Sequence, residues 1–360
     1  MPLEITCNQF FDGDILHGPR RIVVADDGVV DSIKSYDGVS EYPLICPGFV
    51  DVQMNGFNDV HLASASLDEL IRLDQSLLSH GTTSWLGTIV TAPLERMTSS
   101  LVSLHESFQS QQVHGFSGIH VEGPFLGRAP GAHQVKHIIP CDLDWISHLV
   151  RSVRLVTVAP EQTDVISAIR AMTDRNITVS LGHSRPTKRQ FEEAIEAGAS
   201  MVTHLFNGMS GVHHREPGLA MWALNDERVS CGLIADGVHV QTDALTLAFR
   251  AAGSRICLVS DSVAWETSSG PRPGIEIREG APRLLDGTLA GSCTPLAKCV
   301  QRVVQECGVS LSFALASATS VPADLVGLAD VGRIKIGQRA DLLALDSELS
   351  VLKAWRRLPS

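Results

Sequence analysis

The 360-residue sequence predicts an α/β fold, a (β/α)8 TIM-like barrel with a small composite β-sandwich domain formed from both chain termini. Two observations carry that expectation. From Leu44 onward, short apolar runs of strand length alternate eight times with longer amphipathic stretches, and β-rich segments lie at both ends, outside that alternation. With 44% hydrophobic residues the chain can bury a large core. The predicted division is a small β unit from residues 1–48 and 331–360 and a barrel from residues 49–330.

At the start, ITCNQFF and RRIVVADDGVVDSI read as hairpin strands separated by Gly and Pro. The eight barrel strands are predicted in LICPGFVDV, TTSWLGTIV, GFSGIHVEG, RLVTVAP, TVSLGHS, SMVTHLF, SCGLIAD and ICLVSDS. Between them SLDELIRLDQSLLSHG, LERMTSSLVSLHESFQ, TDVISAIRAMTDRN, TKRQFEEAIEAG and TDALTLAFRAAG have helical spacing, several ending in a glycine suited to a left-handed helix stop. Two more helical stretches follow the eighth strand. The last run, GRIKIGQRADLLALDSELSVLKAWRR, reads as strands that join the first ones in a single sheet, since chain ends often lie close together.

A net charge of -11, with no run of Lys and Arg, gives no electrostatic footprint for nucleic acid or an anionic membrane. The opening MPLEITCNQFFDGD lacks a basic stretch followed by an apolar one, and no stretch has the length of a membrane span, so a cytoplasmic protein is expected. The eight cysteines contain no CxxC pair. They are expected as reduced, mostly buried thiols.

In such a barrel the reactive groups gather at the carboxyl ends of the strands. Strand one ends in Asp51, Gln53 and Asn55, strand three in His120 and Glu122, strand five in His183, and strand six in His204 and Asn207. Strand seven ends in Asp236 followed by His239, and strand eight in Asp261. Any one of these serves equally well as a helix cap. Jointly, Glu122, His183 and His204 bring one carboxylate and two imidazoles to one mouth, a set that suits Zn2+ and similar divalent ions and leaves a position open for water. Asp261 is placed to take a proton from that water and return it to a departing amine.

The segments PGFVDVQMNG, HVEGPFL, GHS, THLFNGM, HHREPG, ADGVHV, VSDS and LAGS together resemble the amidohydrolase superfamily and, within it, the N-acetylglucosamine-6-phosphate deacetylase family, nearly end to end. The resemblance implies hydrolysis of N-acetylglucosamine 6-phosphate to glucosamine 6-phosphate and acetate. It implies one divalent metal ion per subunit, Zn2+ first and Fe2+, Mn2+ or Co2+ as alternatives, held by Glu122, His183 and His204. By the same resemblance Asp261 is general base and then general acid, and His133 steadies the tetrahedral intermediate. Substrate contacts are implied at Asn207, Gly208, Arg215, Asp236, His239, Leu289, Ala290 and Gly291. Arg215 resembles the phosphate-contacting arginine of the family, which implies a homodimer in which Arg215 serves the neighbouring site.

Gln53 and Asn55 stand where many amidohydrolases carry a His-x-His pair for a second metal, so those second-metal positions are vacated. The segment VAWETSSGPRPGIEI after Asp261 departs from the smaller Ala- and Gly-rich run of the family, and Trp265 and Glu266 leave a related N-acetylated sugar phosphate or another amide as the alternative substrate. A catalytically silent barrel would lack one of Glu122, His183, His204 or Asp261; all four are present.

Overall fold

A computed structural model describes residues 2–267, 270–272 and 274–356 of the chain. Residues 268, 269 and 273 of the segment after Asp261, and residues 357–360 of the predicted terminal unit, lie outside the described residues.

Eight parallel strands follow one another around the barrel: Phe49–Met54, Thr82–Val90, Phe116–Glu122, Val153–Val158, Thr178–Leu181, Met201–Val202, Ser230–Leu233 and Ile256–Leu258. Each overlaps a run that the alternation marked, the first continuing past its run to Met54 and the fourth beginning one residue before its run at Val153. The first and last strands meet just beyond the eighth, where Asp261 N–H donates to the Gln53 carbonyl at 3.0 Å and Asn55 N–H donates to the Ser262 carbonyl at 2.8 Å. Closure therefore passes through the very residues that carry the polar side chains. Strands covered on both faces are buried along their length, as Thr82–Val90 is at every residue but the last.

The helices between the strands form for local reasons that the sequence states. Ser66 caps Leu67–Ser79 and Thr187 caps Lys188–Glu196, each with a reciprocal capping box through Glu69 and Gln190. Leu70, Leu73 and Leu77 recur at helical spacing and bury one face of the first of these against the barrel.

The chain ends build one mixed sheet of seven strands, in which Tyr42–Pro47 pairs in parallel with Leu3–Phe11 and antiparallel with Leu342–Leu345. Two sequence expectations shift here. LICPGFVDV is not one strand: its first part belongs to the terminal sheet and its second to the barrel, split at Gly48, where a Cβ would come within 2.0 Å of Thr83 Oγ1. GRIKIG is a turn region, because Ile334 and Gly337 donate to the carbonyls of Asp12 and Val30 singly rather than along a ladder, while Leu342–Leu345 and Val351–Trp355 are strands. Arg356 fastens the end of the sheet to the barrel: its guanidinium pairs with buried Asp74, which also accepts from Trp85 Nε1 at 2.9 Å.

All eight cysteines are free, five buried and three half-buried. No helix among the described residues is long and apolar enough to cross a membrane.

Asp51, from the first barrel strand, is buried at 2% exposure. Burial pushes its carboxyl up to about 6 against the opposing hydrogen bonds from Ser260 and the Gln53 amide. A raised carboxyl binds more protons folded than unfolded, so its contribution to stability is lost as pH rises from about 4 through about 6. We expect Asp51→Asn to gain stability over the parent across that window, reaching about 2–3 kcal/mol above pH 6. Urea midpoints at pH 4.5, near the start of that window, and at pH 7.5, beyond its end, test it; a difference that does not grow with pH contradicts the account.

Candidate active site

The carboxyl ends of the strands open into a cavity of about 590 Å³, a size suited to a small ligand. Of the residues expected at the site, Asn55, Glu122, His133, His183, His204, Asn207, Gly208, His239, Asp261, Leu289, Ala290 and Gly291 line it. Asp236 and Gln53 stand just behind the wall, each bonded to a residue that lines it. Arg215 is exposed and outside the cavity lining of its own chain. His120 and Asp51 also stay out of the cavity. His120 is held in the barrel between Thr88 Oγ1 at 3.2 Å and Thr157 Oγ1 at 2.8 Å, and burial pushes it down to about 4.

At the floor three atoms converge. His183 Nε2 lies 3.2 Å and His204 Nε2 lies 3.1 Å from Glu122 Oε1, and the two nitrogens are 3.0 Å apart. Their tautomers follow from the backbone. His183 Nδ1 faces the Ala129 carbonyl and His204 Nδ1 faces the Asn207 carbonyl, both at 3.1 Å, and a carbonyl only accepts, so each Nδ1 carries the hydrogen. Both Nε2 atoms then point lone pairs at a carboxylate oxygen, with nothing among them to donate. Three acceptors packed this closely require a cation. Zn–N and Zn–O bonds of about 2.0–2.1 Å place tetrahedral ligand atoms roughly 3.3 Å apart, close to the spacing seen, and backbone acceptors behind ligating histidines are the usual way such rings are aimed. The residues present therefore fit a divalent metal. His133 Nε2 adds a third nitrogen, 3.1 Å from His183 Nε2, and Glu122, His133 and His183 satisfy the geometry of a metal cluster. Burial and then the neighbouring His183 push His133 down to about 3, which leaves it a neutral ring.

The backbone here is strained where these side chains are aimed. His183, His204 and Asp261 have φ of 50°, 27° and 46°, a region that non-glycine residues rarely adopt. Gly208 takes φ of 57° beside His183, and a Cβ on it would meet His183 Nδ1 at 2.9 Å.

Asp261 stands opposite. Its Oδ1 accepts from Asn55 Nδ2 at 2.9 Å and from Gln53 Nε2 at 3.2 Å. Burial, then the negative charge of Glu122, pushes its carboxyl up to about 6. Gln53 is the joint of the site: the same amide nitrogen reaches Glu122 Oε1 at 3.3 Å, while Gln53 Oε1 accepts from Thr203 Oγ1 at 2.7 Å. A neutral amide thus occupies the place between two carboxylates, where a second cation would otherwise be needed. Farther up the wall Asp236 Oδ2 accepts from His239 Nδ1 at 2.7 Å, and Asp236 Oδ1 accepts the amides of Val238 and His239 at 2.9 Å each. Burial opposes ionisation of Asp236, but these partners outweigh it and hold the carboxyl below its usual range.

The sequence reasoning missed His61, Arg272 and Arg283, which also line the cavity. They come from two short hairpins, Gly56–His61 and Ile275–Leu284, and from the turn before the second. The available signal was the Gly- and Pro-punctuated, arginine-bearing stretch that follows Asp261.

The sequence profile of the amidohydrolase family matches residues 44–358. The chain belongs to the amidohydrolase family. N-acetylglucosamine-6-phosphate deacetylase from Bos taurus is 34% identical over 92% of this chain and 86% of its own length, and N-acetylgalactosamine-6-phosphate deacetylase from Escherichia coli O157:H7 is 33% identical over 91% of each. Among solved structures, the N-acetyl-D-glucosamine-6-phosphate deacetylase of Mycobacterium smegmatis, in complex with N-acetyl-D-glucosamine-6-phosphate, is similar with a TM-score of 0.92 and 29% identity over 99% of this chain and 98% of that one. The enzyme of the same name from Thermotoga maritima has a TM-score of 0.91 and 27% identity over 99% and 98%.

Because Gln53 alone donates to both buried carboxylates, Gln53→Leu leaves Glu122 and Asp261 facing each other with one donor fewer apiece. In metal-free protein we expect a loss of about 3 kcal/mol, read from the urea midpoint at pH 7.5. An unchanged midpoint would mean that the two carboxylates do not depend on this amide.

Proposed function

We propose that this chain hydrolyses N-acetyl-D-glucosamine 6-phosphate to D-glucosamine 6-phosphate and acetate, a metal-dependent hydrolysis of a linear amide bond. The observation that carries the reading is the convergence of Glu122, His183 and His204 opposite Asp261 in one cavity. Relatives named for this reaction, alike over nearly the whole chain, supply the substrate.

Glu122, His183 and His204 would hold one divalent ion, with Zn2+ our choice on ligand type and Fe2+, Mn2+ or Co2+ as alternatives. Such an ion supplies Lewis acidity, polarising the acetyl carbonyl and making water a usable nucleophile at neutral pH. Asp261 does the proton work. Raised toward neutrality by burial and Glu122, its carboxylate is basic enough to accept a proton from the attacking water and acidic enough to return it to the departing amine nitrogen. Asn55 and Gln53 keep Oδ1 fixed by donating to it, and Oδ2 is not engaged by either of those bonds. His133, as a neutral ring, is suited to donate a hydrogen bond to the carbonyl oxygen as charge develops there.

For the sugar we assign Asn207, Gly208, Asp236, His239 and the Leu289, Ala290 and Gly291 loop. His239 is fixed by Asp236 so that its Nε2 is available for substrate oxygens. Arg215 is exposed and outside its own cavity, which accords with a homodimer in which it serves the neighbouring site as the phosphate contact. The domain division that goes with this reading is 1–48 with 331–360 as the small β unit and 49–330 as the catalytic barrel, in a cytoplasmic enzyme. N-acetylgalactosamine 6-phosphate is the second substrate reading, favoured by the Escherichia coli relative of that specificity.

Acetate release from a panel of N-acetyl hexosamines, with and without 6-phosphate, tests the reaction, beside elemental analysis of the purified protein. We expect Asp261→Asn to keep its metal and lose about 10²–10⁴ in kcat, whereas Glu122→Ala, His183→Ala and His204→Ala each lose the metal itself. Full turnover in Asp261→Asn removes that residue from its role. Arg215→Ala should raise KM for the phosphorylated sugar by roughly 10- to 100-fold while leaving kcat within about twofold; an unaltered KM would defeat the assignment of Arg215.

A further inference from the structure

We propose that Arg272 reads the phosphate of the substrate from within the same chain, with His61 beside it, and so sets specificity independently of Arg215. The inference rests on the deacetylase reading above and names a residue of the same cavity that this reading leaves without a role.

Arg272 lines the cavity that holds Glu122 and Asp261, and it is half-buried. Its position is built. The Arg272 amide donates to the Trp265 carbonyl at 3.0 Å, and its carbonyl accepts from Ile275 N–H at 3.1 Å. Trp265 in turn donates its amide to the Asn58 carbonyl at 3.0 Å and stands edge-on to Phe57 with ring centroids 5.2 Å apart, which ties this stretch to the hairpin that carries His61. Nη1 donates to the Ala264 carbonyl at 3.2 Å. That bond orients the guanidinium and uses one of its five N–H groups.

Among the described residues no carboxylate forms an ion pair with Arg272, whereas Arg283, the other arginine of this wall, is paired with Glu279 at 3.2 Å and donates to the Gly287 carbonyl at 3.0 Å. Holding a cation half out of water without a partner is unfavourable, and an anion in the cavity offsets it. His61 gives an independent sign. Its Nδ1 is buried with no hydrogen-bond partner, while burial, then the charge of Arg272, pushes the ring down to about 4, so that at neutral pH it is an uncharged group able to bond a phosphate oxygen.

The neighbouring space decides which side the anion takes. Arg272 and His61 also border an adjoining cavity of about 320 Å³, and that one is lined by Asp59, Glu69 and Glu266, which repel an anion. The carboxylates lining the larger cavity are Glu122 and Asp261, both already engaged at the proposed metal site, and its lining also includes Leu284, Leu289 and Ala290. A planar guanidinium fork matches two phosphate oxygens, and an ammonium at the same place would match only one.

The experiment compares wild type, Arg272→Ala, Arg272→Lys and Arg215→Ala, all metal-loaded. Two readouts are used: kcat and KM for N-acetylglucosamine with and without 6-phosphate, and the thermal shift given by inorganic phosphate alone. We expect Arg272→Ala to reduce the preference for the phosphorylated sugar by roughly 10- to 100-fold, carried by KM. Arg272→Lys should restore part of it, and Arg272→Ala should lose most of the phosphate-induced shift even where Arg215→Ala retains it. Arg272→Ala with a wild-type preference and a wild-type phosphate shift overturns the inference, as does a fall confined to kcat and equal for both sugars. A wild-type enzyme that shows no preference for the phosphorylated sugar overturns the phosphate part of the function proposed above; the phosphate shift then still decides whether Arg272 binds the anion.

Discussion

Two imidazole nitrogens and a carboxylate oxygen within 3.0–3.2 Å of one another form an arrangement that electrostatics forbids unless positive charge lies among them. The carbonyls of Ala129 and Asn207 enforce it by holding the hydrogen of each ring on the far nitrogen. Without a metal the only substitute is a proton: burial works against charge on His204, but Glu122's hydrogen bond and charge, with Asp261 behind it, raise its affinity for one. The rest of the mouth is organised around that demand. Strained backbone at His183, His204 and Asp261, of a kind that costs of order 1–3 kcal/mol per residue, is tolerated because the closed barrel fixes both ends of each turn.

Barrel closure and site assembly are the same event. The strand that closes the ring is held to the first by backbone bonds at Gln53, Asn55, Asp261 and Ser262, and the side chains of the first three form the hydrogen bonds that position the base. Gly291 reinforces this: its φ of 90° lets Ser292 N–H reach the Asp261 carbonyl at 2.9 Å, where a Cβ on Gly291 would meet that same carbonyl oxygen at 2.7 Å. A change that loosens the ring is thus felt at the reacting atoms as well as in stability, and few positions separate the two effects.

The hairpins after strand eight set a different constraint. They are short and carry half-exposed residues, so their own apolar burial is small, yet they put arginines and leucines over the mouth. Elements of this kind can vary in sequence without disturbing the barrel, which is how one fold comes to discriminate among ligands.

Much of this was legible in the chain itself. Continuous apolar runs separated by amphipathic stretches specify parallel strands covered by helices, because only that packing hides both faces of a sheet, and chemically capable residues at the ends of those runs specify where a site must lie. What the sequence could not give is distance. That Gln53 touches both Glu122 and Asp261, residues 69 and 208 positions away, depends on closure of the ring. Arg272 and His61 could not be assigned to the wall for the same reason: local patterning reports periodicity and turns, whereas membership of a cavity wall is a property of several segments folded together, and only the tertiary structure brings those segments to one place.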